Sequence, residues 1–321
     1  MRVGIAGYGN IARSLECMIG QSDEMEVVGV FTRRSPDEVQ TCGAAVYHFA
    51  DISAFEGEID VMFLCMGSSS DLPRYGPLLA ERFDTVDTYD NHRTAEAYKA
   101  SMDRAAREGA HVSIVSLGWD PGFLSLIRLY CHAFLPSASV NTFWGRGVSQ
   151  GHGEALRRID GVKNAIQYTV PREDALTLAG LVAHPLDDCD RHRRVCYVVA
   201  DKGKEERIRG EILSMENYFL GYETEIHFIT EDEFMRYHVS SSHRGRIYAL
   251  GSSGKHKEVK HGVYFDIDMG SNPDLTASIM LSGARAISKI KKDGGQGAYS
   301  PFDIPPSYFA PNKCENVNNY L

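Results

Sequence analysis

Short apolar runs rich in β-branched residues alternate with helical stretches over the first 116 residues of the chain. Helices are predicted between the runs, notably at Ile11–Ile19 and Ala95–Glu108, the second of which ends at Gly109. This alternation predicts an α/β fold, in which helices cover a parallel sheet. The predicted strands, of which Ala44–Tyr47 is the weakest, are Arg2–Ala6, Val27–Phe31, Ala44–Tyr47, Val61–Cys65, Thr85–Thr88 and His111–Ser116.

After Trp119 the order of elements changes, and strand-like runs dominate. Gly251–Gly254 predicts a hairpin turn between the last two runs, and Pro273–Lys291 predicts an amphipathic helix that returns to the first domain. We therefore expect an α+β domain of mixed sheet at residues 119–272, and a first domain at 1–118 that is completed by 273–321. The predicted strands are Val140–Trp144, Ala165–Val170, Val195–Val199, Glu223–Phe228, Gly245–Leu250 and Val259–Ile267.

Length and charge narrow the classes of protein. With 321 residues the chain can bury two ordinary cores, since single cores stop growing near ~250 to 300 residues. The net charge of -9, without a dense basic run, argues against nucleic acid or an anionic membrane as a partner. No uncharged apolar run approaches the ~20 residues of a membrane span. Because the first strand-like run begins at Arg2, we expect no signal peptide. A cytoplasmic location is therefore expected.

The cysteines and histidines show no spacing typical of a metal site. Seven cysteines without a C-x-x-C pair predict reduced thiols rather than a disulfide framework or a zinc site. None of the twelve histidines forms an H-E-x-x-H motif or another tight ligand spacing. We expect no metal ion.

A glycine motif follows the first predicted strand and begins a helix. Gly7-Tyr8-Gly9-Asn10-Ile11-Ala12 matches the pattern G-x-G-x-x-G/A in the required strand-to-helix context. Gly7 permits the tight turn, and Gly9 lets the backbone approach a pyrophosphate at the helix N-terminus. The alternative is an ordinary glycine-rich turn. The motif and its context favour a doubly wound Rossmann dinucleotide-binding domain.

The end of the second predicted strand indicates which dinucleotide binds. NAD enzymes place an acidic residue there to accept the ribose hydroxyls. This chain has Thr32, Arg33 and Arg34 instead, and two guanidinium groups with a hydroxyl can hold a 2′-phosphate by charge-assisted hydrogen bonds. The alternative is that both arginines are merely solvated. Their position favours NADP as the cofactor.

Three further strand ends carry unusual polar strings: Cys65–Ser68, Thr88–His92 and Gly118–Gly122. Ligands of open α/β sheets bind outside the carboxyl ends of the strands. Asp90 and Asp120 would therefore face the nicotinamide, where they could bind and deprotonate a substrate ammonium before hydride leaves its carbon.

Structural roles compete with these assignments. Asp120 before Pro121 is a good N-cap for a helix that runs to about Leu135, and capping alone would explain the pair. Asp90 could simply begin a turn, and Trp119 could be a core residue. Capping and catalysis are compatible, so both interpretations of Asp120 stay open at this point.

The second domain contains a glycine-rich segment, Phe143–Gly153, which is too rich in glycine for a continuous strand and too long for a hairpin turn. It predicts a loop that faces a ligand.

Together these strings resemble the meso-diaminopimelate dehydrogenase family. The resemblance covers nearly the whole chain up to the last ~15 residues, and the strings after Thr88 and after Trp144 are specific to the family, whereas a Rossmann fingerprint is common to many. The matching segments are Gly7–Asn10, Phe31–Arg34, Leu64–Ser68, Val86–His92, Gly118–Gly122, Trp144–His152, Ala155–Ile159, Tyr222–Glu223 and Asn272–Ser278.

The resemblance implies reversible NADP-dependent oxidative deamination of the D-centre of meso-2,6-diaminopimelate to L-2-amino-6-oxopimelate and ammonia, a step of lysine and diaminopimelate biosynthesis. It also implies a homodimer, with the second domain serving for substrate binding and dimerisation. The implied substrate residues are Asp90 and Asp120 at the reacting end, Trp144, Gln150 and Gly151 along the substrate, and Thr169, Arg194, His243 and Asn272 at the distal, L-configured end. The expected cofactor residues are Gly7, Tyr8, Gly9, Asn10, Ile11, Thr32, Arg33, Arg34, Cys65, Met66, Gly67, Ser68, Thr88, Tyr89, Asp90, Gly118, Trp119, Asp120 and Pro121.

Two departures from the family pattern bear on these assignments. Ala12 replaces the third fingerprint glycine, a variant that affects helix packing rather than phosphate binding. The segment Thr177–Arg193 is hard to register, so that Arg193 and Arg194 are both open as the distal ligand. Two other functions also compete: another NADP-dependent reductase of the lysine pathway, and an NADP-sensing protein without catalysis, which would not require the paired aspartates.

Overall fold

The computed structural model describes residues 1–182, 184–216, 218–238 and 242–311. It divides into two compact units, the first formed by Met1–Leu126 with the described part of Pro273–Leu321, and the second by Ile127–Asn272. No helix among the described residues is long and apolar enough to cross a membrane.

The strands are β1 (Arg2–Ala6), β2 (Glu26–Thr32), β3 (Val46–His48), β4 (Val61–Leu64), β5 (Thr85–Asp87), β6 (Val112–Ile114), β7 (Ser139–Trp144), β8 (Gly147–Val148), β9 (Val162–Pro171), β10 (His192–Ala200), β11 (Thr224–Phe228), β12 (His243–Ser253), β13 (Val259–Met269) and β14 (Gly297–Tyr299). The α-helices are α1 (Asn10–Ile19), α2 (Asp71–Ala80), α3 (Ala95–Glu108), α4 (Phe123–Phe134), α5 (Gln150–Arg157), α6 (Glu173–Ala179), α7 (Asp188–Arg191), α8 (Glu205–Ser214), α9 (Glu231–Tyr237), α10 (Asn272–Lys292) and α11 (Pro306–Phe309). Short 3-10 helices lie at Pro36–Glu38, Phe49–Phe55 and Pro301–Asp303.

The first unit is built on a parallel sheet in the order β14-β6-β5-β4-β1-β2-β3. Strand order reverses at β1, which pairs in parallel with both β2 and β4. Side chains of β4 alternate between two cores: Val61 and Phe63 pack with residues of α1 and α10, whereas Met62 and Leu64 pack with residues of α2 and α3. Helices therefore cover both faces, which confirms the predicted doubly wound Rossmann domain.

Most predicted elements of the first unit are confirmed to within two residues, and α3 coincides with its prediction. One expectation is wrong. The structure joins Cys17 of α1 to Cys42 of the following loop in a disulfide, so the cysteines are not all reduced thiols. The pair lies far apart in sequence and has no motif, and only the fold brings the two residues together. Cys314 lies outside the described residues.

The second unit has two sheets rather than one mixed sheet. The first has the order β11-β10-β9-β8 and is mixed, because β10 and β11 are parallel whereas β9 is antiparallel to its neighbours. The second, β13-β12-β7, is antiparallel. A core that includes Leu156 of α5 and Ile208 and Ile212 of α8 packs on the mixed sheet.

Two local predictions in this unit are wrong. The hairpin turn lies after Ser253, not at Gly251–Gly254, because β12 stays paired with β13 up to Ser253 and the Ser252 N–H also bonds the carbonyl of Pro136. Phe143–Gly153 is not one loop, since it contains the end of β7, the short strand β8 and the start of α5. Pairing of β8 with β9 supplies partners that the local sequence does not reveal.

Helix α10 completes the first core, and its inward face can be tested. Ile287 is 1% exposed and belongs to the core that includes β1 and α1. We expect Ile287→Ala to lower the free energy of unfolding by about 2 to 5 kcal/mol, because it leaves a cavity. The measurement is urea-induced unfolding followed by circular dichroism. The exposed Ser278 of the same helix provides the control: Ser278→Ala should change stability by less than about 0.5 kcal/mol. Equal effects of the two substitutions would contradict this packing.

Candidate functional site

The predicted site residues of the first unit lie at one edge of its parallel sheet. Strands β2, β1, β4, β5 and β6 are consecutive neighbours and run in the same direction. The segments that follow them therefore form a row about 19 Å long, at about 4.8 Å per strand. The arginines after β2 stand at one end of the row, and the aspartates after β5 and β6 stand at the other.

Gly7 forms the turn at the centre of this row. Its φ is +87°, a left-handed conformation that favours glycine. A Cβ there would lie 2.7 Å from the carbonyl oxygen of Cys65, so the close approach of the β1 and β4 ends also requires glycine. At Gly9, by contrast, a Cβ would meet no described protein atom within 4 Å. Packing within the chain thus explains the first glycine of the motif but not the second.

Glu16 fixes the side chain of the residue between these glycines. It is 5% exposed on α1, and its Oε2 accepts a hydrogen bond of 2.5 Å from the Tyr8 hydroxyl. Its Oε1 accepts one of 2.8 Å from the Ala44 N–H. Burial, followed by the bond to Glu16, raises the pKa of Tyr8 to about 12, so Tyr8 remains a neutral donor. Ala12 is fully buried on the same helix.

The two arginines after β2 are both held in place. The guanidinium of Arg34 donates a hydrogen bond of 2.8 Å to the carbonyl of Tyr8. The backbone N–H of Arg34 donates one of 3.2 Å to the Thr32 hydroxyl. Arg33 forms an ion pair of 2.5 Å with Asp71, the first residue of α2, and lies over the ring of Tyr75. The Arg33 side chain is 50% exposed. These contacts gather two guanidinium groups and a hydroxyl beside the glycine motif, as the sequence predicts.

The segments after β4 and β5 contact one another. Asp90 N–H donates 3.3 Å to the hydroxyl of Ser68, which links the Cys65–Ser68 segment to the Thr88–Asp90 segment. Asp90 itself is exposed, whereas Tyr89 is buried. Burial raises the pKa of the Cys65 thiol to about 12, which makes this cysteine a neutral side chain rather than a thiolate.

The segment after β6 turns back on itself before α4 begins. The Gly118 N–H donates to the carbonyl of Pro121, and the N–H of Phe123 returns to the carbonyl of Gly118. Helix α4 starts at Phe123, so Asp120 lies two residues before the N-cap position, and the open alternative in which Asp120 is the N-cap residue does not apply. Instead, Asp120 Oδ1 accepts a hydrogen bond of 3.4 Å from the hydroxyl of Ser125, which lies in the first turn of α4. Trp119 is half-buried.

In the second unit, Trp144 ends β7 and is held by a histidine. The backbone N–H of Trp144 donates a hydrogen bond of 2.9 Å to Nε2 of His192. The two rings stack with their centroids 5.3 Å apart. Burial, with Arg194 and Arg191 nearby, lowers the pKa of His192 to about 3, which keeps it neutral and able to accept this bond. Gln150 begins α5 and is followed by the exposed Gly151. The Gln150 side chain lies outside the described part of the structure.

A buried polar cluster forms where β8, β9, β10 and β12 meet. Thr169 and Arg194 are direct partners across β9 and β10, and Arg194 Nη1 donates 2.8 Å to the Thr169 hydroxyl. Gly147 pairs with Thr169 on the other side, and a Cβ on Gly147 would lie 2.2 Å from the His243 ring. Three of the predicted distal residues, Thr169, Arg194 and His243, are thus brought together around one glycine.

Arg194 is 8% exposed and has no carboxylate at ion-pair distance among the described residues. Its guanidinium lies 4.1 Å from the centre of the Tyr222 ring, and its Nε has no hydrogen-bond partner. The neighbouring Arg193 is half-exposed and pairs with Glu225. Because a buried charge without an ionic partner is costly, Arg194 is the residue of the two that calls for an anion. The remaining predicted distal residue, Asn272, is the first residue of α10 and follows the strands of this cluster in the chain.

Sequence reasoning missed four residues that hold these groups in place: Glu16, Asp71, Asp87 and His192. The only local signal is at Asp87, an acidic residue at the end of a predicted buried strand, where its side chain is fully buried. The described residues contain no group of three or more histidine, cysteine or acidic side chains that could hold a metal ion.

Comparisons with known proteins agree with this architecture. Residues 118–271 match the family model of the diaminopimelic acid dehydrogenase C-terminal domain. The chain is 42% identical to the meso-diaminopimelate D-dehydrogenase of Acetivibrio thermocellus over 100% of this chain and 97% of the relative.

Two solved structures are similar over the same length. The diaminopimelate dehydrogenase of C. glutamicum in complex with DAP is 40% identical, with a TM-score of 0.94 over 99% of this chain and 98% of that one. An engineered D-amino acid dehydrogenase bound to NADP+ is 39% identical, with a TM-score of 0.90 over 99% and 98% of the two chains. The resemblance found in the sequence is thus confirmed, and the chain belongs to the meso-diaminopimelate D-dehydrogenase family.

Proposed function

We propose that the protein catalyses the reversible NADP-dependent oxidative deamination of the D-centre of meso-2,6-diaminopimelate to L-2-amino-6-oxopimelate and ammonia, in lysine and diaminopimelate biosynthesis. The observation that carries this is the row of strand-end segments ending in Asp90 and Asp120, within a chain 42% identical over its whole length to a D-dehydrogenase. The two alternatives, another reductase of the lysine pathway and an NADP sensor, are not favoured by that identity.

The residues of the first unit fit NADP. Gly7 allows the turn that presents the N-terminus of α1 to a pyrophosphate. Arg33 and Arg34 supply two cations for a 2′-phosphate, at the position where an NAD enzyme would carry an acid. The segments Cys65–Ser68, Thr88–Asp90 and Gly118–Pro121 then line the path toward the nicotinamide. NADP supplies the hydride acceptor.

Asp90 and Asp120 have the chemistry needed at the reacting end. Two carboxylates can bind the ammonium of the D-centre and accept a proton from it, which leaves an amine whose lone pair favours departure of hydride from the same carbon. Water then adds to the resulting imine, and ammonia leaves.

The buried cluster of the second unit fits the distal end of the substrate. Arg194 lacks an anionic partner among the described residues, and a substrate carboxylate would supply one. Thr169 and His243 add a hydroxyl and an imidazole beside it. Trp144, Gln150, Gly151 and Asn272 complete the proposed substrate contacts, as the family resemblance implies.

The proposal includes a homodimer formed through the second unit. Strand β13 is an edge strand, and apolar side chains on it are exposed, including Val259, Val263 and Tyr264. An exposed apolar edge strand is a liability in a monomer, and pairing with a second copy would cover it. The cytoplasmic location expected from the sequence stays a prediction.

The activity itself is tested with the purified protein, NADP+ and meso-diaminopimelate. We expect formation of NADPH, followed by its absorbance, and release of ammonia in equal amount. The L,L-isomer has no D-centre and should give neither product, which makes it the control. NADPH formation with the L,L-isomer at a similar rate would contradict the assignment of the reacting centre.

Cofactor choice is tested by Arg33→Ala with Arg34→Ala. Loss of two charge-assisted contacts should weaken NADP binding by about 2 to 4 kcal/mol while leaving NAD binding nearly unchanged. Isothermal titration calorimetry with each cofactor measures both effects. Arg104→Ala, which removes an exposed arginine from α3, is the matched control and should alter neither. A double variant that keeps the wild-type preference for NADP would disprove the assignment.

The distal cluster is tested by Arg194→Met, with its neighbour Arg193→Met as the control. Arg194→Met should raise the KM for meso-diaminopimelate by about 30-fold or more, because a buried carboxylate loses its charge-assisted bonds. Turnover of D-amino acids with apolar side chains should be kept or increased. Arg193→Met should leave the KM for meso-diaminopimelate and the turnover of D-amino acids unchanged, since Arg193 pairs with Glu225. Equal loss of both activities in Arg194→Met would place Arg194 in the chemistry or the fold instead.

Asp120→Ala should lower turnover of every substrate.

A further inference from the structure

One fully buried carboxylate joins the two segments that carry Asp90 and Asp120. Asp87 is the last residue of β5 and is 0% exposed. Its Oδ1 accepts two backbone hydrogen bonds of 2.9 Å, from the N–H of Tyr89 and from the N–H of Ser116. Its Oδ2 accepts 2.8 Å from the hydroxyl of Tyr98 on α3. A single side chain therefore satisfies donors from three separate parts of the first unit.

Both backbone donors are placed close to a reacting carboxylate in sequence. Tyr89 immediately precedes Asp90, and Ser116 opens the segment that leads to Asp120. The main-chain carbonyl of Asp87 also accepts 2.8 Å from the N–H of Leu117, so the residue bonds the second segment twice. These bonds fix where each segment leaves the sheet.

The second segment needs such support. Ser116 has a φ of +58°, in the left-handed region that residues other than glycine rarely adopt. A conformation of this kind persists only where surrounding contacts determine it. The bond from the Ser116 N–H to Asp87 is one of those contacts.

The chemical nature of the residue supports a role beyond stability. All three donors to the Asp87 side chain are neutral, and burial raises the pKa of its carboxyl to about 6. A carboxyl in this position costs folding free energy when ionised, because burial penalises the charged form. Yet it is an acceptor on both oxygens, and therefore orients all three donors at once.

We propose that Asp87 is a positioning residue, whose carboxyl group sets the placement of Asp90 and Asp120 through the N–H groups of Tyr89 and Ser116. This rests on the proposed roles of Asp90 and Asp120 as the groups that act on the substrate ammonium. A displacement of about 1 Å in such groups can lower turnover by about 100-fold. Position, rather than charge, is the property that Asp87 contributes.

Position and charge are separated by two substitutions at this residue. Asp87→Asn removes the charge and keeps the geometry, since its Oδ1 can accept both N–H bonds while its amide faces the Tyr98 hydroxyl. Asp87→Glu keeps the charge and shifts the acceptor by one methylene. We expect kcat with meso-diaminopimelate to stay within about threefold of wild type in Asp87→Asn and to fall by about 10- to 100-fold in Asp87→Glu. The Kd for NADP, measured by calorimetry, should stay within about threefold in both.

Asp84, which directly precedes β5, provides a matched control at the opposite end of the strand from Asp87. It is 4% exposed and accepts 2.8 Å from the Val112 N–H at the start of β6, as well as bonds from His111 and Lys291. Asp84→Glu and Asp84→Asn should lower the unfolding midpoint but leave kcat within about twofold. Should Asp87→Glu not fold, Asp87→Ser replaces it, because its shorter side chain cannot reach both N–H groups and adds no volume.

The outcomes separate this proposal from the proposed function. A kcat in Asp87→Glu or Asp87→Ser within twofold of wild type would overturn the positioning role, as would an equal loss in Asp87→Asn, which would show that charge matters instead. Wild-type activity together with an unchanged kcat in both Asp90→Ala and Asp120→Ala would refute the roles of those aspartates, whatever the Asp87 variants do. A wild-type protein without activity on meso-diaminopimelate would refute the function itself.

Discussion

Parallel pairing of the strands in the first unit is the constraint on which its chemistry depends. Because neighbouring strands run in the same direction, every segment that follows a strand emerges at the same edge of the sheet. The chain can thus combine a turn at Gly7, cations after β2 and acids after β5 and β6 without any of them being close in sequence. The close approach at Gly7, where a side chain would collide with Cys65, marks the centre of this edge.

The second unit, by contrast, keeps one cation, Arg194, buried. Arg194 is surrounded by neutral polar and aromatic groups: the Thr169 hydroxyl and the Tyr222 ring. His152 is also near, and burial, with Arg194 as a further cause, lowers its pKa to about 3. His152 and His192, whose pKa values are both lowered by burial and by Arg194, are therefore uncharged. An arginine in neutral surroundings keeps its full attraction for an anion, at a cost in stability that a neutral residue would avoid.

Sequence reasoning predicted the elements with strong local signals and missed those that tertiary contacts decide. Helix α3 was predictable to the residue, because its periodicity ends at Gly109. The length of β12 was not, since pairing with β13 extends it through Gly251 and Ser252, which locally favour a turn. The fingerprint and the arginines were predictable from their order along the chain. Glu16 and Asp87 were not, because their partners Ala44 and Ser116 lie 28 and 29 residues away.

The first unit is discontinuous, since α10 and β14 follow the whole second unit in the chain. Gly283 of α10 packs so closely that a Cβ there would lie 2.5 Å from Leu117 and 3.1 Å from Val86, both in the apolar core. During synthesis on the ribosome, these side chains emerge more than 150 residues before the helix that covers them. While the second unit is being made, this face of the cofactor-binding sheet is therefore covered by α1 but not by α10, and the apolar surface that α10 later covers is exposed to aggregation or to chaperones throughout that interval.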